Sequence, residues 1–196
     1  MSWEATLLTF ALIDNVILSR LLGVDPYGMP GSLRSAAAAG GLFTILMAAS
    51  AVAGSVLETQ VLAPFGLEAL RTPAFVLLVA AFAAALHGLA ARRAPAMLEE
   101  AGVSLGRTAT STAVLGVVLI ASRGGLDAGR ALLAGLGAGA GFFLVTSMMT
   151  AIRLRLEVEP VPRALRGFPL QLVTAALMAY AFLAFDRGFL ARFLGR

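Results

Sequence analysis

Apolar residues in this chain come in long unbroken runs rather than in the alternation of a strand or the stripe of a soluble helix. Six runs stand out: Trp3–Val24, Ser35–Leu57, Thr72–Ala91, Thr108–Ser122, Leu132–Ile152 and Phe168–Phe185. Most approach the roughly 20 residues that a helix needs to cross a bilayer. Backbone in lipid must satisfy its own hydrogen bonds, and barrel strands would alternate, so runs this rich in alanine predict helices. The expected fold is an all-α integral membrane protein of about six transmembrane helices, with residues 1–196 forming one domain. The fourth run is short and polar at its start, which predicts a broken or tilted span.

The pattern also repeats. Ile13-Asp14-Asn15-Val16-Ile17-Leu18-Ser19 has the same order of polar step, aliphatic run and small residue as Thr110-Ser111-Thr112-Ala113-Val114-Leu115-Gly116. Leu70-Arg71-Thr72-Pro73 opens one apolar run as Leu165-Arg166-Gly167-Phe168-Pro169 opens another, at nearly the same separation. The halves are then about residues 1–93 and 105–196. With three spans each they must insert upside down relative to one another, an inverted 3+3 repeat of the kind found in many transport proteins.

Composition agrees. Hydrophobic residues make up 59% of the chain, only 13% are charged and the mean hydropathy is +0.90, so a water-soluble surface could not be covered. The start, Met1-Ser2-Trp3-Glu4, is acidic, and Asp14 interrupts the first run, which predicts a retained first helix rather than a cleaved signal peptide. The net charge of +4 comes from fifteen arginines, without lysine, scattered among loops. Such scatter argues against nucleic acid as a partner. Arg34, Arg92, Arg93, Arg107, Arg153, Arg155, Arg163 and Arg166 follow the odd-numbered spans, and Arg71, Arg123, Arg130, Arg187, Arg192 and Arg196 lie opposite. The excess of positive charge places both termini outside the cytoplasm of a bacterial inner membrane.

Candidate chemistry is sparse. With no cysteine and one histidine, thiolate or histidine-cluster metal sites and Cys/His nucleophiles are excluded. His87 suits packing at the membrane interface better than ligation. The Glu99-Glu100 doublet and the pair Glu157 and Glu159 sit in arginine-rich loops, where solvated charge is the expectation. Small residues mark the second span (Gly40-Gly41, Gly54) and the fifth (Gly135, Gly137, Gly139, Gly141) and predict close helix packing. The polar residues within spans point furthest toward function, because hydrocarbon penalises them. Asp14 and Asn15 lie near the middle of the first span, and Thr110, Ser111 and Thr112 are their repeat counterparts. If the first and fourth spans meet at the pseudo-twofold axis, these steps converge at mid-membrane as a polar path.

At these residues the chain resembles a known family. Asp14-Asn15-Val16-Ile17-Leu18, followed by Leu22-Gly23-Val24-Asp25-Pro26-Tyr27-Gly28, is similar to the end of the first helix in the RnfA/NqrE type of membrane subunit. Those subunits belong to the Rnf electron-transport complex and the sodium-translocating NADH:quinone oxidoreductase. Leu70-Arg71-Thr72-Pro73-Ala74-Phe75, Thr112-Ala113-Val114-Leu115-Gly116 and Ala151-Ile152-Arg153-Leu154-Arg155-Leu156 resemble later family segments in the right order. The resemblance implies a homologous partner subunit of opposite topology, further electron-transport subunits, and a two-iron two-sulfur cluster held by two cysteines from each partner. The cysteine positions correspond here to Asp25 and Thr112. Oxygen ligands suit hard cations rather than such clusters, so no cofactor is expected in the isolated subunit.

Two further functions remain open. The chain could be a small ion or solute transporter or channel on the same fold, with Asp14, Asn15, Asp25 and Thr112 as its path, or a purely structural membrane partner.

Overall fold

A computed structural model describes residues 7–13, 15, 17–20, 22, 30–157 and 159–182 of the 196. These fold as helices: α1 (Leu33–Leu57), α2 (Arg71–Arg93), α3 (Pro95–Ala101), α4 (Leu105–Ala109), α5 (Thr112–Arg123), α6 (Ala128–Leu156) and α7 (Phe168–Phe182). A π-helical turn, Thr9–Ile13, precedes them, and another, Glu58–Leu62, prolongs α1. Four helical stretches are long and apolar enough to cross a membrane: Leu33–Leu62, Glu68–Arg93, Leu105–Arg123 and Ala128–Leu156; α7 is a shorter apolar helix. The protein is an all-helical integral membrane protein. Large side chains such as Leu77, Leu177 and Tyr180 lie on its outer surface, where lipid tails rather than water cover them.

The centre of the bundle is the pair α1 and α6. A Cβ on Gly135 would stand 2.6 Å from the Ala48 Cα, one on Gly139 2.5 Å from the Thr44 Cα, and one on Gly40 2.4 Å from the Phe143 ring. Contacts that climb α6 by four residues descend α1 by four, so the two helices run antiparallel. Their backbones nearly touch, which supplies packing where no hydrophobic drive separates helix from lipid. The ring centroids of Phe43 and Phe142 lie 4.9 Å apart in the same seam.

Each long helix carries a flanking segment. The turn Thr9–Ile13 lies on α6, and α5 lies on α1, where Gly54 admits Val118. Val114, Val117 and Val118 join Leu46, Met47, Phe75, Val79 and Val145 in the core. Of α2, only the narrow stripe Phe75, Val79, Ala83 and Ala90 is buried, and of α7 only Ala175 and Met178.

The short α3 begins with Pro95 at its first turn and ends at Gly102, whose φ of +61° suits a residue without Cβ. It lies across the start of α1: the Ser35 hydroxyl donates to the Ala101 carbonyl at 3.3 Å, and Arg34 pairs with Glu100 at 2.5 Å.

Among the described residues, the second, third and fifth spans start and stop within a few residues of the sequence expectation and the sixth starts where expected, with two departures. The fourth run is divided, α4 stopping before Thr110-Ser111 and α5 starting after it. The first run, expected as a continuous helix, leaves helical geometry at Asn15 and resumes as turns at residues 17–20.

Candidate functional site

An interrupted span exposes backbone donors and acceptors that lipid cannot satisfy. At the first interruption one side chain replaces the lost bonds. Asn15 is fully buried. Its Nδ2 donates to the Ala11 carbonyl at 2.9 Å, while Oδ1 accepts from the backbone N–H of Ile17 at 3.1 Å and of Leu18 at 3.3 Å. The Asn15 carbonyl in turn accepts from the Ser19 hydroxyl at 2.6 Å. The amide thus ends the turn before it and caps the turn after it. Beneath it lies Gly141, whose Cβ would stand 2.5 Å from the Ala11 carbonyl oxygen and 2.6 Å from the Asn15 Nδ2. Gly141 is near the middle of α6, so the Asn15 break sits at mid-membrane depth.

The second interruption is at similar depth but built differently. Val118 lies level with Gly54, and two turns back along α5 brings the chain to Thr110–Thr112, opposite the middle of α1. The Thr110 hydroxyl donates back to the Gly106 carbonyl at 2.8 Å, and Thr108 to that of Ser104 at 3.0 Å. Thr110 and Thr112 are exposed, and Ser111 is partly so.

Among the described residues, the helices that meet along the central seam are α1 and α6. Asn15 spends its side-chain bonds on its own segment, while Thr110 and Thr112 face outward. Asp14 and Asp25 lie outside the described residues.

Glu58, on the π-turn that prolongs α1, is buried, and its carboxylate accepts from Arg71 through Nε at 2.9 Å and through Nη2. This two-pronged contact ties the end of α1 to the start of α2. A signal existed in the isolated acid at the end of an apolar run, but only the π-turn aims it at Arg71. Two other carboxylates expected to be solvated are also paired, Glu100 with Arg34 and Glu157 with Arg153 at 3.1 Å.

An all-helical bundle with several spans long and apolar enough to cross a membrane, two of them interrupted, defines a polytopic membrane protein. The chain belongs to the Rnf-Nqr family: the family model described as "Rnf-Nqr subunit, membrane protein" matches residues 4–188. It is 37% identical over 175 residues to a subunit of the Na(+)-translocating ferredoxin:NAD(+) oxidoreductase complex of Acetobacterium woodii, covering 89% of this chain and 91% of that protein. With the same coverage it is 35% identical to the corresponding subunit of the ion-translocating oxidoreductase complex of Serratia proteamaculans, and 32% identical to that of Syntrophotalea carbinolica.

The cluster implied by the resemblance does not fit the residues present. The chain has no cysteine, and Thr112, at one of the two positions the resemblance implies, is a threonine in the first turn of α5. Hydroxyl and carboxylate oxygens do not replace thiolates around iron and sulfur.

Proposed function

We propose that this chain is a membrane component of a bacterial complex that couples electron transfer to ion translocation, and that it contributes frame and interface rather than a cluster of its own. The observation that carries this reading is the match along nearly the whole chain to proteins named as one and the same subunit of ion-translocating oxidoreductases. The antiparallel α1–α6 seam supports an inverted repeat, because the second spans of two inverted halves must run in opposite directions. The flanking segments fit the same relation: Thr9–Ile13 lies on α6 as α5 lies on α1. A partner of opposite topology, seated where Thr110 and Thr112 face outward, then completes the membrane unit, with lipid around it.

Charge supports an orientation. The positions of Arg34, Arg92, Arg93, Arg107, Arg153, Arg155, Arg163 and Arg166 gather at one end of the bundle; those of Arg71, Arg123 and Arg130 mark the other. The basic end is cytoplasmic by the positive-inside rule, and both termini are then non-cytoplasmic.

The test is purification of the tagged chain from its native membranes, with identification of co-purifying proteins and assay of iron and acid-labile sulfide. Flavin and iron–sulfur subunits should accompany it, and the chain separated from them should hold no stoichiometric iron. A chain that purifies alone and moves an ion or solute in liposomes would overturn the proposal in favour of a transporter.

A further inference from the structure

The turn that joins α1 to α2 is apolar and exposed. From Thr59 to Leu67 it carries no charged residue. Val61, Phe65, Leu67 and Leu70 are exposed, Phe65 to 72%. The turn that joins α6 to α7 is of the opposite kind, with Glu157, Glu159, Arg163 and Arg166 in residues 157–167. Because α1 and α6 run antiparallel, the two turns stand at opposite ends of the bundle.

The backbone of the apolar turn leaves little for water to do. The N–H of Ala63 donates to the Glu58 carbonyl at 2.9 Å, and that of Phe65 to Val61 at 3.3 Å. Those of Gly66 and Leu67 donate to Ala63 at 3.2 Å and Leu62 at 2.9 Å. Pro64 has no N–H to satisfy. Gly66, with φ of +67°, permits this closed helix ending. At the base of the turn, Glu58 and Arg71 neutralise each other in their two-pronged contact. Internally bonded N–H groups and paired charge are what surroundings poor in water demand. Glu68, exposed just beyond Leu67, limits the depth to that of lipid headgroups.

The patch also continues a surface that lipid covers. Leu70 precedes Leu77 by about two helical turns, so both lie on one side of α2. Leu77 is exposed on the outer face of the bundle. Apolar and aromatic side chains that run on from such a face are at home in the membrane interface. No lysine or arginine lies between Glu58 and Arg71, so attraction to anionic headgroups is not the basis.

We infer that the α1–α2 turn is an interfacial anchor. Val61, Phe65 and Leu67 insert among the headgroups and upper acyl chains of the leaflet opposite the arginine-rich end. The occupant of this surface is phospholipid, whatever its headgroup charge. The inference stands apart from the electron-transport reading.

The test places one tryptophan in each turn. Trp3 is the only tryptophan of the chain, so Trp3→Phe with Phe65→Trp leaves a single reporter, and Trp3→Phe with Glu159→Trp is the control. Both are reconstituted in phosphatidylcholine vesicles, with and without phosphatidylglycerol. Emission is quenched by brominated lipid from within the bilayer, or by iodide present on both sides of it. The reporter at position 65 should lose most of its emission to brominated lipid and little to iodide; at position 159 the order should reverse. Phosphatidylglycerol should change neither result. Iodide quenching at position 65 equal to that at 159 would overturn the proposal, as would a requirement for phosphatidylglycerol. A second measurement uses the unsubstituted chain with its native partners, reconstituted with a phospholipid that carries a photoreactive diazirine near its headgroup. Mass spectrometry should find lipid adducts on residues 61–70. Adducts on α7 but none on that turn would show that a protein covers it, and would equally overturn the proposal. If a tryptophan variant fails to fold, the photolabelling decides alone.

Discussion

The two interrupted spans solve the same problem in opposite ways. At Asn15 the break is buried, and a single amide supplies one donor and two acceptances to backbone groups on either side of it. At Thr110-Ser111 the Thr110 hydroxyl bonds within its own helical turn, and the side chains of Thr110 and Thr112 are exposed. A break enclosed by its own chain must be completed from within, and asparagine can do this because one short side chain both donates and accepts. A break at the surface can leave completion to a neighbour. Burial dictates what must replace the missing bonds.

The largest expected effect is that of Asn15→Leu. The substitution keeps the bulk but leaves the Ala11 carbonyl and two N–H groups without partners in a dry site. The expected loss is about 2–4 kcal/mol, the upper part for orphaned buried groups and the lower for membrane proteins that find substitute partners. Reversible unfolding in mixed micelles measures it, with Ser111→Ala alongside as the matched injury to the second break. Equal losses for the two variants would erase the proposed asymmetry.

Gly141→Ala sharpens the same point from the opposite helix. Its methyl would intrude on both the Ala11 carbonyl and the Asn15 amide, so the first break must shift or α6 must move away. Overpacking of this kind costs about 1–3 kcal/mol. Combining it with Asn15→Leu should cost less than the sum, because both act on one contact. Strict additivity in the double mutant would show that Gly141 does not serve the break.

Much of this architecture was legible in hydropathy, since hydrocarbon demands long apolar helices and the chain has no other use for such runs. The four consecutive odd-numbered glycines of α6 carried more than close packing. On a helix, residues two apart point to different sides and residues four apart to the same side. Gly135 and Gly139 therefore serve α1, and Gly137 and Gly141 serve the first segment.

What the sequence hid was pairing. Glu58 meets Arg71 through a π-turn that no propensity announces. Glu100 meets Arg34 because α3 folds across α1, although the doublet reads as solvated charge. The polar steps were visible as residues, but whether each faced inward or outward depended on which helix packed against it.

The smallest expected effect falls on Thr112, and it tests the outward face most directly. The chain is naturally free of cysteine, so Thr112→Cys and Asn15→Cys each introduce a single reporter thiol. At an exposed position the exchange of hydroxyl for thiol should change stability by less than about 0.5 kcal/mol. In the isolated protein in detergent, the thiol at position 112 should react readily with a maleimide, because the first turn of α5 is open there. The thiol at position 15 should stay unreactive until the protein unfolds. When the protein is purified with its native partners, labelling at position 112 should fall sharply, and this protection separates a surface completed by a neighbouring protein from one covered only by mobile lipid or detergent. Undiminished labelling in the complex would mean that the second break faces lipid, and its likeness to the first would then be one of position alone.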